Sequence, residues 1–270
     1  VALGFSIVYR GTGAINFAQG EYVMLGGIVA GTLHELFGLP VGLIVVLTVL
    51  VGLVVGALTQ VATARFFTPT PTSITIATIG FAVALKALVM VTTGRRTVAL
   101  PAFSGETPIM VGQAALLPQT LWNLGLVLLA AVLLALLFTY ARPGVMMRAA
   151  ADNRDMAAAL GVSITATTTW SFALAGALGA AAGASLTPIT LMSFDGGTLL
   201  GLKGFSAAMV GGLGDMYGAL IGGLLLGLAE AFVAGYVSSA YADVVAFVVL
   251  LLILFRKPTG LLGRAVLRKG

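Results

Sequence analysis

The chain has 270 residues, 59% of them hydrophobic and only 9% charged, and its mean hydropathy is +1.10. Soluble domains carry about 25% charged residues, so this composition excludes an ordinary soluble domain and marks an integral membrane protein. The formal net charge of +5 is no sign of nucleic-acid binding, because the basic residues sit mostly at the ends of apolar runs, where they set topology. With no cysteine and His34 as the sole histidine, disulfides, thiolate metal sites and His clusters are excluded as well.

The chain begins VALGFSIVYR, an apolar stub closed by Arg10, which reads as the second half of a membrane helix whose earlier residues are expected to precede Val1. A polar, glycine-rich stretch, GTGAINFAQGEY, leads into the apolar run 22–37. Further spans are predicted over 39–64, 73–93, 121–140 and 164–188, each close to the ~20 residues that cross a bilayer. FFTPTPTS separates the first two of these, and a long polar connection with Pro101, Pro108 and Pro118 follows Arg95 and Arg96. A turn-like stretch around Asp195, Gly196 and Gly197 precedes a short apolar segment, 201–214. Runs 216–235 and 243–255 come last, before a basic tail over 256–270.

The segment 142–163, RPGVMMRAAADNRDMAAALGVS, is the longest polar interruption with helix-forming character. Its Arg142, Arg148 and Arg154 place it on the cytoplasmic side. Alternating outward from it puts Arg10, Arg65, Arg256, Lys257, Arg264, Arg268 and Lys269 on the same side, and Arg95 and Arg96 opposite. This alternation requires 201–214 to cross or nearly cross, either as a short helix in a thinned bilayer or as a broken segment buried among its neighbours. Pro143 and Gly144 end the preceding span, and a short helix restarts beyond them. On that helix Met147, Ala150, Ala151, Ala158 and Gly161 fall near one face, with Asp152 and Asp155 elsewhere. Two readings are open: docking into a groove of another protein, or lying along the headgroups.

Small residues recur at four-residue spacing in Gly27/Gly31, Gly52/Gly56, Gly179/Gly183, Gly218/Gly222 and Gly223/Gly227, a pattern read as helix packing. FAQGEYVMLGG (17–27) and FSAAMVGG (205–212) are faintly alike, as interrupted segments in two halves of a transport path can be. Chance similarity in a Gly/Ala-rich chain is the competing explanation.

No GxxxxGK[ST] loop and no HExxH occur, and no carboxylate pair sits in a plausible pocket, so an enzyme is not expected. Polar groups within membrane segments are the functional candidates. Asn16, Gln19, Glu21, Lys203 and Ser206 are candidates for a substrate path, set against helix capping for the first three and snorkelling for Lys203. Lys86 and Glu230 are expected to reach the interface, and Thr75, Thr78, Ser185 and Thr187 to bond back to helix carbonyls. The sparse charges suggest neither an ion filter nor a proton relay.

Three blocks resemble the LivH-type permeases of bacterial branched-chain amino-acid ABC importers: GTGAINFAQGEYVMLGG (11–27), RPGVMMRAAADNRDMAAALGV (142–162) and GLKGFSAAMVGGLGDMYGALIGGLLLGLAEA (201–231). The ending RKPTGLLGR (256–264) is similar too, and the resemblance runs through essentially the whole chain in the family's order. It implies an all-α polytopic permease, one domain over 1–270; counting apolar runs against bilayer thickness gives about eight or nine transmembrane segments in the full-length chain, some short or broken. It also implies a second, LivM-like permease, two cytoplasmic P-loop ATPases that bind the ATP, a periplasmic amino-acid-binding protein, and residence in the lipid of a bacterial inner membrane. The permease itself would hold no cofactor. MAAALGV (156–162) is similar to a reduced permease-to-ATPase loop motif, with Met156 at its usual acidic start and Asp155 one place earlier. That similarity implies coupling contacts from Met147, Arg148, Ala151, Asp155, Ala158 and Gly161. Related permeases for urea, amides or other amino acids share similar blocks. Phe17, where urea permeases are expected to carry Met, leans towards amino acids. A stand-alone channel or secondary carrier, and a membrane scaffold without flux, are the rival classes.

Overall fold

The computed structural model describes residues 1–66, 70–105, 107–111 and 114–263. Its helices, in chain order, are α1 (Ala2–Thr12), α2 (Gln19–Phe37), α3 (Val41–Phe66), α4 (Pro71–Thr93), α5 (Pro118–Tyr140), α6 (Arg142–Asp152), α7 (Arg154–Ala159), α8 (Ile164–Thr190), α9 (Gly196–Gly211), α10 (Met216–Tyr236) and α11 (Ala242–Arg256). The chain is an all-α polytopic membrane protein. Among the described residues six stretches are long and apolar enough to cross a bilayer: α3, α4, α5, α8, α10, and Ser239–Arg256, which contains α11. The basic residues Arg264, Arg268 and Lys269 lie outside the described residues.

Helix starts follow local chemistry. Thr70 accepts the Ser73 N–H at 3.3 Å, with Pro71 in the first turn of α4, where a missing donor is harmless. Ser163 accepts the Ala166 N–H ahead of α8 at 3.3 Å, and Asp215 the Gly218 N–H ahead of α10 at 2.7 Å. The polar connection after α4 carries one element the sequence did not reveal, an antiparallel pair of β1 (Ile109–Val111) and β2 (Ala114–Leu116), with Ile109 opposite Leu116. Val98 and Met192 exchange main-chain hydrogen bonds at 2.8 and 3.0 Å. Buried Gln119 accepts the Phe103 N–H and donates to the Ser185 carbonyl, both at 3.0 Å, which ties the connection to α8.

Helix α8 is the axis. Its most apolar window is 56% buried, against at most 28% for the other five. At 1.5 Å per residue its 27 residues span about 40 Å. Helix α3 approaches it where Gly52 and Gly56 meet Gly176 and Phe172, and α2 where Gly26 meets Ala180 and Gly183 meets Val23. These contacts are backbone on backbone, which is what small residues permit between membrane helices. Gly218 and Gly222 play the same part against Gly211 and Ala207 of α9, and Gly27 and Gly31 lie on Met192 and Val98. Gly223 and Gly227 depart from the expectation: among the described residues nothing lies within 4 Å of where their Cβ atoms would stand. They face outward on α10, beside the exposed Leu224 and Leu228.

Two helices do not start at a membrane face. The Gln19 Nε2 donates to the Ala175 carbonyl at 3.0 Å, and Ala175 lies about 16 Å along α8 from Ile164. Helix α2 therefore begins part-way along α8 and runs parallel to it towards the Thr190 end. Gly20 lies against Gly197 and Gly201, and Met24 against Gly197, so α9 also begins inside the bundle and runs the opposite way. The short segment after Asp195 is thus a broken one buried among its neighbours. Residues 191–195 return into the bundle without helical structure, and α9 then reaches the end where Gly214 meets Tyr9. That end also carries Arg10 and α6–α7, while the ion pair of Arg96 with Glu35 (3.4 Å) marks the other.

A matched pair of substitutions tests this packing. Alanine is favoured over glycine in helices by up to ~1 kcal/mol. Gly223→Ala is expected to leave stability unchanged or slightly raised. Gly176→Ala would drive a Cβ into the Gly52 carbonyl, and is expected to destabilise by about 1–3 kcal/mol. Thermal unfolding in mild detergent checks both signs.

Candidate functional site

The stretch between α1 and α2 crosses the interior without regular structure, so its main-chain groups need partners of another kind. Thr12 accepts the Ala14 N–H at 3.0 Å, Thr75 the Ile15 N–H at 3.2 Å and Thr78 the Phe17 N–H at 3.1 Å. Thr75 and Thr78 also donate to Pro71 and Thr75 carbonyls of their own helix at 2.9 and 2.8 Å, as expected of hydroxyls in membrane helices. Ser185 and Thr187 donate back in the same way, to Ala182 and Gly183. The two α4 hydroxyls hence serve two masters, a role the spacing alone did not reveal.

The first three candidate residues sit together on this stretch. Asn16 is fully buried, and its Oδ1 accepts the Ala18 N–H at 3.1 Å. Gln19, also fully buried, lies over Gly4 of α1, where any side chain would collide with its amide. Glu21 is 6% exposed. Its Oε1 accepts the Thr198 hydroxyl at 3.2 Å, so it reaches across to α9 instead of capping α2. The same hydroxyl accepts a hydrogen bond from Lys86 Nζ at 3.2 Å, and that ammonium stands 5.8 Å from the Phe194 ring centre. Lys86 therefore turns inward to the site and not to the interface. Phe5, Phe17, Gly20, Glu21, Thr198 and Phe205 line a cleft of ≈ 70 Å³. The two faintly similar segments do meet here, with Phe17 and Phe205 ring centres 6.1 Å apart.

The other two candidates lie elsewhere on α9. Ser206 is fully buried, and its hydroxyl has no partner among the described residues. Lys203 neither snorkels nor joins Glu21. It pairs with Glu230 of α10 at 3.0 Å and Asp243 of α11 at 2.6 Å, which also accounts for Glu230.

The segment 142–163 is two helices. Helix α6 restarts at Arg142 with Pro143 in its first turn, and it ends where Asn153 turns extended and accepts the Met156 N–H at 3.0 Å, starting α7. The expected single face is therefore broken. Met147 and Ala150 are buried, Met147 among Leu3, Ile7, Leu134 and Phe138, so Met147 belongs to the bundle and not to an outer surface. Ala151 is half-buried; Arg148, Asp155, Ala158 and Gly161 are exposed. The apolar projection is made by Met156 and Leu160, 64% and 84% exposed. Arg154, read from the sequence only as a topology charge, donates to the Gly11 carbonyl at 2.5 Å. That carbonyl belongs to the last turn of α1, where helix carbonyls lack partners and a cation is favoured.

Buried Asn16, Gln19 and Glu21 around one helix start inside an apolar bundle, joined to an exposed helical projection at one end, fit a polytopic membrane permease. Residues 1–254 match the family model described as the permease component of the branched-chain amino acid transport system. The chain belongs to this permease family. It is similar to LivH of Escherichia coli (strain K12), named a high-affinity branched-chain amino acid transport system permease protein, with 34% identity over all of this chain and 92% of the relative. It is also similar to BraD of Pseudomonas aeruginosa, with 31% identity over all of this chain and 92% of the relative. A third such permease, from Methanocaldococcus jannaschii, is 30% identical over 97% of this chain and 87% of its own length. No solved structure matches.

Thr78→Val removes the acceptor for a part-buried main-chain N–H and is expected to destabilise by about 1–2 kcal/mol. Thr92→Val, at an exposed position whose hydroxyl bonds only within its own helix, is expected to change stability by less than about 0.5 kcal/mol. Denaturation in detergent compares the two.

Proposed function

We propose that the chain is the permease subunit of an ATP-driven importer for the branched-chain amino acids Leu, Ile and Val. It forms one permease domain, α6–α7 and the last helix end lie in the cytoplasm, and a second, LivM-like permease completes the path. Two P-loop ATPases bind and hydrolyse ATP, a periplasmic binding protein delivers the amino acid, and the assembly sits in the lipid of a bacterial inner membrane. In the full bundle α2 and the broken α1 and α9 segments add to the six long helices, giving eight or nine membrane segments. Asn16, Gln19 and Glu21, with Ser206 on α9, line the path.

The observation that carries this reading is the bond from Arg154 to Gly11. It joins the exposed projection of α7 to the stretch that bears Asn16, Gln19 and Glu21. Met156 and Leu160, with Arg148, Asp155, Ala158 and Gly161 around them, form the surface that an ATPase groove receives. Gly161 has φ +84° and open space around it; its left-handed turn presents Leu160 outward. When the ATPases close, α7 moves, and the guanidinium pulls on the end of α1. The stretch 13–18 is hinged there, so the motion arrives at the helix start where substrate passes.

Purification in mild detergent is expected to bring a second permease and a P-loop ATPase with the chain, and Leu160→Asp to lose the ATPase while keeping the permease. A solitary chain active in liposomes without ATP would overturn the reading. Arg154→Met is expected to preserve ATP hydrolysis stimulated by loaded binding protein and to lower leucine uptake about tenfold, the worth of a charged hydrogen bond. Arg154→Lys, with a point charge in place of the planar fork, is expected to fall between. Uptake assays in proteoliposomes, run beside phosphate release, decide this.

A further inference from the structure

We propose that the cleft between Glu21, Thr198 and the rings of Phe5, Phe17 and Phe205 is a transient binding site for the α-ammonium group of the transported amino acid. This rests on the importer reading above and adds the chemistry by which the path tells an amino acid from a neutral amide.

Three observations converge. First, Glu21 is 6% exposed, and its Oε2 has no partner among the described residues. An acceptor buried in that state calls for a donor, and charged acceptors call for cationic ones. Second, the chain's own cation does not supply it. Lys86 Nζ stops at the Thr198 hydroxyl, which then donates to Glu21 Oε1, so one hydroxyl separates the two charges. The two charged ends of an amino acid are likewise held close together, ammonium and carboxylate on one carbon. Glu21, in the cleft wall, is thus placed for the ammonium, while Lys86 stands outside that wall, one hydroxyl away. Third, the walls are aromatic. Phe5 and Phe205 ring centres lie 5.7 Å apart in an edge arrangement, and Phe17 and Phe205 6.1 Å apart. Ring faces attract an ammonium group, and they also take aliphatic carbon. The side chain would lie along Phe17, 37% exposed at the rim. Urea and simple amides can donate hydrogen bonds to Glu21 but carry no positive charge, so they gain less from this arrangement than an ammonium group does.

The test uses the whole assembly, with second permease, ATPases and binding protein, in proteoliposomes. Two quantities are read: uptake of radiolabelled leucine, and ATP hydrolysis stimulated by leucine-loaded binding protein. Absence of ATP-driven leucine uptake by the unaltered assembly would defeat the importer reading itself, before the site is tested. Given that uptake, Glu21→Gln is expected to lower it about tenfold, with stimulated hydrolysis kept within about twofold, and Glu21→Asp to restore part of it. Uptake by Glu21→Gln within about twofold of the unaltered assembly would overturn the site, as would parallel loss of uptake and hydrolysis, which marks a structural role. If Glu21→Gln fails to assemble, Phe17→Ala at the rim decides. A drop in uptake of about threefold with hydrolysis retained supports the site, and unchanged uptake overturns it.

Discussion

A main chain that leaves helical structure inside a bilayer must find a partner for every N–H and C=O it frees. In residues 13–18 the Ala14, Ile15, Phe17 and Ala18 N–H groups find theirs in the hydroxyls of Thr12, Thr75 and Thr78 and the side-chain oxygen of Asn16. Because the partners are side chains of α1 and α4, the stretch stays in place only while those helices do. It sets the depth at which α2 begins, places Gln19 under α8 and Glu21 opposite Thr198, and follows directly on the last turn of α1, whose Gly11 carbonyl Arg154 holds.

Close helix contact supplies the rigidity against which this stretch can move. Helices α2, α3 and α8 touch backbone to backbone through Gly26, Gly52, Gly56, Gly176 and Gly183. Helices cannot be drawn together by water exclusion within lipid, so van der Waals contact of this kind is what holds them. Helix α4 differs, since its Gly80 meets nothing within 4 Å among the described residues and the helix reaches the interior through hydroxyls, Lys86 and the apolar Ile74, Leu85 and Val89. The fold thus combines a tight trio with a looser wall, and the cleft lies beside that wall.

How much of this could be read from the residues depended on range. Local signals worked. Arginines at run ends and apolar runs of bilayer length located the long helices to within a few residues. The polar stretch before Glu21 stood out because charge is rare in such a chain. Partnerships across the fold were out of reach. Glu21 and Thr198 are 177 residues apart, Lys86 and Thr198 112, and Arg154 and Gly11 143. Lys203 illustrates the difficulty, since an isolated lysine in an apolar run gives no hint of which acids it meets. Met147 shows the opposite error. Helical spacing placed it on a face with Ala151, but spacing does not say which side faces the bundle, and Asn153 interrupts the helix before that face can continue.

Helix α9 has a consequence for how the protein is made. It starts inside the bundle, is 16 residues long, and carries Lys203. Its ion-pair partners Glu230 and Asp243 are synthesised after it, and so are Leu261 and Leu262, whose N–H groups bond to the Val210 and Gly211 carbonyls at 2.9 Å. A ribosome therefore delivers α9 before anything that neutralises its lysine or closes its last turn. Leu261 and Leu262 thus act as a latch on an element made some fifty residues earlier. A chain cut near residue 258 would keep the long helices and lack the two N–H groups that close the last turn of α9.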